Sequence, residues 1–306
     1  MTIYRQSTIK DNLYLRARII RSIRSFFNDG DYLEIDTPIR IPAPAPEAHI
    51  DAVAAGDQYL QTSPELCMKQ LLAAGYPRIF QICKCFRQGE RGRKHLPELT
   101  MLEWYHAGGD YVGLMEQCEE LVRYIVRRLE GHKNLVYRNR PIELAKPWRR
   151  LPVAEAFEKY GSVTMAEALA TDRFDEVMAL EIEPNLGGQG PLFLYDYPAR
   201  HGALARLKPG NPFLAERFEL YIAGIELCNG FSELTDAAEQ RDRFKNEQDL
   251  RQSLNKPLYP LPEKFLAALD DMPAAAGNAL GIDRLVMLFA DAGNIDDVVA
   301  FTPEEL

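Results

Sequence analysis

Two stretches of the chain are predicted to form long antiparallel hairpins, and they restrict the possible folds more than any other feature. Residues 78–86 and 99–105 are two apolar runs separated by a polar, basic loop. Residues 213–231 are predicted to form two further strands around a turn at 223–224. Strands that follow one another through a short connection pair antiparallel. The sequence therefore predicts a sheet built mainly on antiparallel strands.

Helices are predicted around this sheet, because apolar residues recur every three or four positions in several segments. The predicted helices cover residues 12–29, 66–74, 111–130, 152–159, 172–180, 237–254 and 282–290. A short extended run covers 32–35, and Pro42, Pro44 and Pro46 indicate a loop after it. No repeat, low-complexity segment or clear linker interrupts the pattern. We therefore expect an α+β fold, with a single domain over 1–306 in which helices flank a mainly antiparallel sheet.

Composition and charge narrow the class of protein. The hydrophobic fraction of 46% excludes a disordered chain. No run approaches the ~20 apolar residues that cross a bilayer, and the N-terminus has no apolar signal region. Because the five cysteines show no C-x-x-C spacing, we expect a reduced, cytoplasmic protein. The net charge of −9 disfavours a protein whose main task is to bind nucleic acid, since that affinity comes chiefly from basic side chains on phosphates.

The sequence contains none of the common phosphate-loop, dinucleotide-binding, zinc-protease or serine-hydrolase signatures, but one loop, over 88–97, concentrates positive charge. Five basic residues and one acid lie between Lys84 and Lys94. A solvated basic loop is the simpler explanation of the cluster. Arg87 differs, because it follows directly on a strand that can aim its side chain. Its planar guanidinium suits bidentate binding of phosphate or carboxylate.

Acidic residues on the second hairpin form another candidate site. If the turn lies at 223–224, Tyr221 pairs with Glu226 and Glu219 lies on the same face. Two carboxylates so placed repel each other unless a cation lies between them. Oxygen ligands beside a nucleotide phosphate suit Mg²⁺, whereas the alternative is a solvated outer face. The residues that follow, 228–231, are poorly suited to a solvent-facing strand and favour the site.

A third candidate lies where a glycine begins the last predicted helix. Gly281 permits a ligand to approach the backbone closely, and a helix N-terminus attracts anions. Arg284, on the first turn of that helix, could reach a phosphate. Taken alone, this pattern is not specific.

Together these segments resemble the three sequence motifs of the class II aminoacyl-tRNA synthetases, and in particular the lysyl group. The likeness covers nearly the whole chain. The segments that carry it are the helix before Gly30 with residues 32–38 for the first motif, residues 86–89 and 95–103 for the second, residues 279–284 for the third, and residues 62–66 and 224–234, which match lysyl-type patterns.

Within that group the chain most resembles the paralogous ligases that attach lysine or β-lysine to a lysine of elongation factor P. Lysyl-tRNA synthetases carry an N-terminal OB-fold domain that reads the anticodon, and the predicted helix at residue 12 leaves no room for one. The resemblance implies a class II synthetase core, ATP and Mg²⁺, elongation factor P as acceptor and a homodimer formed through the first motif. It disfavours tRNA as a partner and implies no membrane. Two alternatives stay open: the same adenylate with a tRNA or small-molecule acceptor, and a non-catalytic regulatory protein.

The resemblance also implies roles for individual residues. Arg87 would hold the α-phosphate and the substrate carboxylate, and Arg284 the γ-phosphate, which makes these two the catalytic candidates. Glu219 and Glu226 would hold Mg²⁺. The amino-acid substrate would be bound by Ser63, Pro64, Glu65, Glu103, Tyr105, Asn229, Phe231 and Glu233. ATP would be bound by Arg87, Gln88, Gly89, Glu90, Leu96, Leu99, Glu226, Leu227, Gly281 and Arg284.

Three positions depart from the family pattern, and all of them fall on the implied nucleotide contacts. Gly89 stands where the family has an acidic residue, with Glu90 one place later. Leu96 replaces an asparagine, and Leu99 replaces the phenylalanine that stacks on adenine. Leucine forgoes aromatic stacking worth about 0.5–1.5 kcal/mol. The resemblance therefore implies altered ATP binding with an unchanged amino-acid pocket.

Overall fold

In the computed structural model, which describes residues 4–129, 135–144, 147–188, 190–202 and 204–306, helices surround one large sheet. The helices are α1 Arg5–Thr8, α2 Lys10–Asp29, α3 Glu65–Ala73, α4 Tyr111–Arg128, α5 Val153–Tyr160, α6 Met165–Ala170, α7 Phe174–Val177, α8 Ala237–Ser253, α9 Glu263–Ala268 and α10 Ile282–Phe289. The strands are β1 Leu33–Glu34, β2 Arg40–Ile41, β3 Ala54–Ala55, β4 Gln58–Leu60, β5 Arg78–Phe86, β6 Glu98–Ala107, β7 Leu135–Tyr137, β8 Arg140–Ile142, β9 Arg149–Pro152, β10 Leu192–Pro198, β11 Leu207–Lys208, β12 Asn211–Ile222, β13 Ile225–Ser232 and β14 Ala275–Gly281.

The large sheet runs in the order β1-β5-β6-β14-β13-β12-β10-β9, with β11 paired to β12. Its neighbours are antiparallel except at the two ends, where β1 lies parallel to β5 and β9 parallel to β10. Two small sheets, β2-β4-β3 and β7-β8, lie beside it. The predicted α+β class with a mainly antiparallel sheet is confirmed.

Each predicted helix is present with its ends shifted by only a few residues, except that the segment 172–180 is divided. There α7 ends at Val177 and a π-helical turn covers Met178–Ile182. The prediction for residue 130 lies outside the described residues. Helix α4 begins after Asp110, whose side chain accepts a hydrogen bond from the Gly113 amide at 2.9 Å. No described helix combines the length and the apolar character that a membrane span requires.

The two predicted hairpins are both present. Strand β5 covers residues 78–86 as predicted and pairs with β6 along its length. At the second hairpin Tyr221 lies opposite Glu226, also as predicted, but Leu220 lies opposite Cys228. One residue of β13, Leu227, is therefore extra, and this bulge places Glu219 opposite Asn229.

Strand β14, in the middle of the sheet, is an element that the sequence analysis did not predict. Its residues are mostly alanine and glycine, which have low β propensity and give no alternating pattern. Its register brings site residues into two rows across the sheet. One row contains Glu103, Ala279, Asn229 and Glu219. The next row contains Tyr105, Gly277, Phe231 and Arg217.

The main core lies on the opposite face of the sheet from these two rows. Alternate residues such as Leu102, Trp104 and Leu220 point there and pack with the apolar faces of α2, α4 and α10. Because side chains alternate across a strand, burying this set leaves the neighbouring positions on the other face. The fold thus separates a dry core from the face that carries the site.

Candidate functional site

A cavity of about 270 Å³ lies over the two rows of sheet residues. Among the residues that line it, those predicted from the sequence are Ser63, Glu65, Arg87, Glu90, Leu96, Leu99, Glu103, Tyr105, Glu219, Glu226, Leu227, Asn229, Phe231, Gly281 and Arg284. Residues from β6, β12, β13 and β14, the loop after β5, the start of α3 and the start of α10 thus meet at one place. The three clusters that the sequence analysis treated separately share this cavity.

Four predicted residues are not part of the cavity lining. Pro64 precedes α3, where its carbonyl accepts hydrogen bonds from the first turn of that helix. The Gln88 amide donates to the Asp51 carbonyl at 2.7 Å, and Gly89 has a φ of 80°, a turn conformation that favours glycine. Glu233 lies beneath the cavity floor, with a side chain that is fully buried.

One end of the cavity, which we call the carboxylate end, contains Glu65, Glu103 and Glu233 around Lys69. The Lys69 ammonium forms ion pairs with Glu65 at 2.6 Å and with Glu233 at 2.5 Å, and it lies 5.1 Å from the Phe231 ring centroid. Lys69 itself is 1% exposed. Three carboxyl groups therefore surround one buried ammonium. When all three are ionised, this cluster has an excess of negative charge.

Hydrogen bonds fix the direction of the Glu103 carboxylate. Ser63 donates to its Oε1 at 2.6 Å, and the Tyr105 hydroxyl donates to its Oε2 at 2.9 Å. The Ser63 oxygen in turn accepts from the Glu65 amide at 3.0 Å, at the start of α3. Because each group holds the next, the carboxylate end is preorganised around a fixed geometry.

Burial governs the protonation of this end. It raises the pKa of Glu103 to about 7, and the neighbouring Glu65 adds to the effect. It also raises the pKa of Glu233 to about 8, although the Lys69 ammonium opposes the shift. Glu65 and Glu233 keep the pKa of Lys69 above its ordinary value despite its burial. A further cation placed here would favour ionised carboxylates and complete the charge balance.

Gly277 is a residue of the cavity floor that the sequence analysis missed. A Cβ atom at this position would collide with the Tyr105 ring and with Glu233 Oε1. Glycine is therefore required for these two side chains to meet under the cavity. The signal in the sequence was a glycine inside the alanine-rich run 274–279, which the predicted strands did not include.

The other end of the cavity, which we call the arginine end, contains Arg87, Arg284, Glu219 and Glu226. Arg87 follows Phe86, the last residue of β5, and its amide donates a hydrogen bond to the Pro97 carbonyl at 2.9 Å. Its side chain lies 3.9 Å from Glu90, a long ion pair. Its Nε atom is buried and has no hydrogen-bond partner among the described residues. A buried donor without an acceptor, beside an open cavity, is suited to an anionic ligand.

Arg284 is held by groups that also line the arginine end. It donates to the Glu226 carbonyl and to Glu226 Oε2, both at 3.0 Å, and to the Lys94 carbonyl at 3.2 Å. A second guanidinium nitrogen lies 2.6 Å from His95 Nε2. Burial and the nearby Arg284 lower the pKa of His95, which favours a neutral imidazole that can accept this bond.

Glu219 lies deeper than Glu226 and is held on both oxygens. Arg217 contacts its Oε1 at 2.6 Å, and the Tyr221 hydroxyl donates to its Oε2 at 2.7 Å. Burial raises the pKa of Glu219, partly offset by Arg217, and Glu226 raises it further. Burial raises the pKa of Glu183 to about 7, with contributions from the same two carboxylates. Glu219 and Glu226 each have one arginine partner, at 2.6 Å and 3.0 Å, so three carboxyl groups gather here around two guanidinium groups.

Two further residues of the site, Lys69 and Arg217, were not predicted. Lys69 lies four positions after Glu65 on α3, a spacing that brings the two side chains together on a helix. That spacing was a usable signal. Arg217 lies two positions before Glu219 on β12 and therefore on the same face, but its hydrogen bond to Asn229 at 2.9 Å depends on the register with β13.

A mainly antiparallel sheet with one arginine at the end of a long strand and another on the helix after the central strand is the arrangement that the resemblance predicts for a class II synthetase core. The comparison with known families agrees. A family model described as tRNA synthetases class II (D, K and N) matches residues 1–305, and the chain belongs to this family. As its class implies, the protein is an ATP-dependent ligase.

Curated relatives are similar over nearly the whole chain. An elongation factor P–(R)-β-lysine ligase of Edwardsiella ictaluri is 38% identical over 99% of this chain and 98% of its own length. A ligase of the same name from Pectobacterium carotovorum is 40% identical over the same shares. Another from Sodalis glossinidius is 40% identical over 96% of this chain and 95% of its own length.

Proposed function

We propose that the protein activates lysine or (R)-β-lysine with ATP and transfers the acyl group to a lysine side chain of elongation factor P. The observation that carries this proposal is the carboxylate end, where the single ammonium of Lys69 pairs with Glu65 and with the buried Glu233, and Glu103 adds a third carboxyl group that is also buried. Such a site favours a substrate with its own ammonium groups. The names of the curated relatives support the same substrate and acceptor.

In this proposal Glu103, Tyr105 and Glu233 bind the side-chain ammonium of the substrate. Glu103 is in the cavity lining with an oriented carboxylate, whereas Glu233 acts from below through its charge. Ser63 and Glu65, with Pro64 shaping the start of α3, receive the α- or β-amino group. Asn229 and Phe231 form the floor and wall of the pocket.

ATP is bound at the arginine end. Arg87 contacts the α-phosphate and the substrate carboxylate, and Arg284 exchanges its bonds to Glu226 and His95 for the γ-phosphate. The remaining nucleotide contacts are proposed for Gln88, Gly89, Glu90, Leu96, Leu99, Leu227 and Gly281. Of these, Gln88 and Gly89 lie behind the cavity wall and contribute through the loop backbone.

Glu219 and Glu226 fit a Mg²⁺ ion that is shared with ATP. Mg²⁺ is commonly held by one or two carboxylates together with substrate phosphates and water. The described residues contain no group of three or more metal-ligating side chains, so the protein alone does not supply a complete site. Burial and mutual repulsion of the two carboxylates are the features that a cation would relieve. When bound, the ion would neutralise charge on the phosphates.

The first half-reaction then follows from the positions of these groups. The substrate carboxylate attacks the α-phosphorus, a carboxyl–phosphate bond forms, and pyrophosphate leaves. Arg87 stabilises the charge that develops on the phosphoryl oxygens. In the second half-reaction the ε-amino group of the acceptor lysine attacks the acyl carbon and AMP leaves.

Two assays test this function in sequence. Pyrophosphate exchange that depends on lysine or on β-lysine is the expected result of the first, and exchange with neither substrate would contradict adenylate formation. In the second, radiolabelled substrate is incubated with ATP and either purified elongation factor P or tRNA. We expect label on the protein, and label on tRNA alone would reject the proposed acceptor.

We also propose a homodimer formed through the first motif. Tyr14 on α2 and Leu33 in β1 are 63% and 50% exposed, which leaves apolar surface on the segment that the resemblance assigns to the dimer interface. A dimeric mass in light scattering is expected, and a monomeric mass at micromolar concentration would contradict it. The single-domain organisation and the cytoplasmic location stay predictions.

A further inference from the structure

A proline-rich loop next to the cavity is fixed in place by a buried arginine. In the loop over residues 42–52, Arg251 of α8 donates to the Glu47 carbonyl at 2.8 Å and to the Ile50 carbonyl at 3.1 Å, and it pairs with Asp51 at 2.9 Å. Arg251 is 0% exposed. Burying a guanidinium is costly unless it is fully paired, so this loop is held with unusual firmness for an irregular segment.

Further hydrogen bonds hold the loop on either side of Glu47. The Ala48 amide donates to Glu247 at 2.7 Å, and the Ala52 amide donates to the Tyr259 hydroxyl at 2.8 Å. Pro44 and Pro46 restrict the backbone just before Glu47. The contacts fix the main chain at Glu47 while leaving its side chain free for another task.

Glu47 lies between two cavities. It lines the cavity of the functional site and also a second one of about 270 Å³. The other residues that line the second cavity are Ala199, Arg200, Leu204, Arg243, Phe244, Asn246 and Glu247. No side chain or amide among the described residues donates a hydrogen bond to the Glu47 carboxylate or pairs with it. It is a half-buried acid without a structural partner at the junction of the two cavities.

Charged groups from α3, α8, β12 and the loop after β5 face this carboxylate. Burial is the largest effect and raises the pKa of Glu47 to about 7, with Glu65 of α3 and Glu247 of α8 acting in the same direction. Arg87, which follows β5 directly, and Arg217 of β12 oppose them. Because Arg87 is the residue proposed to hold the reacting carboxylate, Glu47 lies close to the place where the acyl group would be transferred.

The second half-reaction of the proposed function needs a base. A lysine ε-amino group has a pKa of about 10.4 and is an ammonium at neutral pH, without the lone pair that attacks a carbonyl. A carboxylate that titrates near neutral pH is well suited to accept that proton. None of the roles assigned above supplies this step.

We propose that Glu47 is the general base of acyl transfer, and that the acceptor lysine reaches it through the second cavity. This inference rests on the proposed function. Glu47 takes one proton from the ammonium, and the freed nitrogen attacks the acyl carbon. A carbon–nitrogen bond forms, the bond between the acyl carbon and the phosphate oxygen breaks, and AMP leaves with that electron pair. The second proton leaves the nitrogen for the departing phosphate or for water.

The experiment compares Glu47→Gln with the wild-type protein in both half-reactions. We expect pyrophosphate exchange to stay within about twofold, whereas acyl transfer to elongation factor P falls by roughly 10²–10⁴-fold, the usual contribution of a general base. Transfer by the variant should recover as the pH rises from 7 to 9, because the acceptor ammonium then loses its proton to solvent. Asp57→Asn, at an exposed position in the turn between β3 and β4, is the matched control.

Two small nucleophiles separate this proposal from the choice of acceptor. Hydroxylamine is largely unprotonated at neutral pH and needs no base, whereas ethylamine is an ammonium. Glu47→Gln should discharge the adenylate to hydroxylamine as fast as wild type and to ethylamine far more slowly. If the wild-type protein exchanged pyrophosphate but labelled no elongation factor P, the proposed acceptor would be rejected. The ratio of the discharge rates with ethylamine and hydroxylamine would still test the role of Glu47.

Two outcomes would overturn the inference. Loss of pyrophosphate exchange in Glu47→Gln, with a raised KM for the amino substrate, would show that Glu47 binds the substrate ammonium. Equal loss with hydroxylamine and ethylamine would show a structural effect. The route is tested by Asn246→Trp, an exposed position of α8 beside the second cavity. This variant should keep exchange and slow transfer to elongation factor P, and unchanged transfer would reject the route.

Discussion

The two ends of the cavity achieve charge complementarity in different ways. At the carboxylate end, Glu103, Glu233 and Lys69 are almost completely buried and each is held by a neighbour. At the arginine end, Arg284 is half-buried and is held by Glu226 and His95, which a ligand can replace. The first end is rigid and short of positive charge, and the second can rearrange.

This difference suggests a division of labour between selection and chemistry. Buried carboxylates repel one another, and their raised pKa values show that ionising them has a cost, which either protonation or a cationic ligand removes. Arginines keep their charge at any physiological pH and tolerate exchange of partners. We therefore expect the carboxylate end to decide which amino acid is bound, and the arginine end to decide how fast the phosphate reacts.

The largest effect is expected from Arg87→Ala at the arginine end. Loss of the charged donor that we propose to contact the α-phosphate should lower the rate of pyrophosphate exchange by about 10²–10³-fold, with little change in the KM for lysine. Exchange kinetics at saturating substrates measure it. Arg93→Ala, on the same loop but outside the cavity lining, is the control and should leave the rate near wild type. If Arg87→Ala only raised the KM for lysine and left the exchange rate unchanged, the proposed difference between the two ends would be contradicted.

Glu103→Gln should have the next largest effect, this time on binding. Removing one of the buried carboxylates should weaken binding of the amino-acid substrate by about 100-fold, or ~3 kcal/mol, while the KM for ATP changes little. Calorimetric titration with lysine and with β-lysine measures the change. Glu98→Gln, an exposed position on the same strand, provides the comparison. If Glu103→Gln weakened ATP binding to the same extent, the two ends of the cavity would not be independent.

The pH dependence should separate the ends without any substitution. Glu103 and Glu233, with pKa values raised to about 7 and about 8, are mostly protonated at pH 6 and become ionised as the pH rises. Since an ammonium prefers the ionised forms, the KM for lysine should fall by about tenfold between pH 6 and pH 8. The KM for ATP should change less than the KM for lysine, because the arginines proposed to hold the phosphates do not titrate and Glu183, whose pKa is raised to about 7, lies outside the cavity lining. A lysine KM that rises with pH would contradict the assignment.

The smallest effect is expected from Leu99→Phe. An aromatic ring at this position of the cavity wall should stack on the base and lower the KM for ATP several-fold, in line with about 0.5–1.5 kcal/mol. The KM for lysine should not move. Steady-state exchange at varied ATP measures it, and a higher KM for ATP would show that Leu99 does not cover the base.

Much of the site could be predicted from the sequence because motif residues lie at fixed positions on regular elements. Arg87 at a strand end and the Tyr221–Glu226 pairing both follow from strand periodicity and turn position. The bulge at Leu227 does not, because an extra residue in one strand leaves no mark on the alternation of its neighbours. Strand β14 was missed since its small residues are chosen for close approach, as at Gly277, rather than for β propensity.

The sequence by itself determined the class of fold, the family and most of the side chains that face the cavity, because these depend on local periodicity and on motifs. Only the tertiary structure decided how charge is distributed among them. It placed Lys69 between Glu65 and Glu233, left Arg87 Nε without a partner, and put Glu47 between two cavities. Protonation and partnership depend on burial and on distances between segments far apart in the chain, and those arise only when the segments pack together.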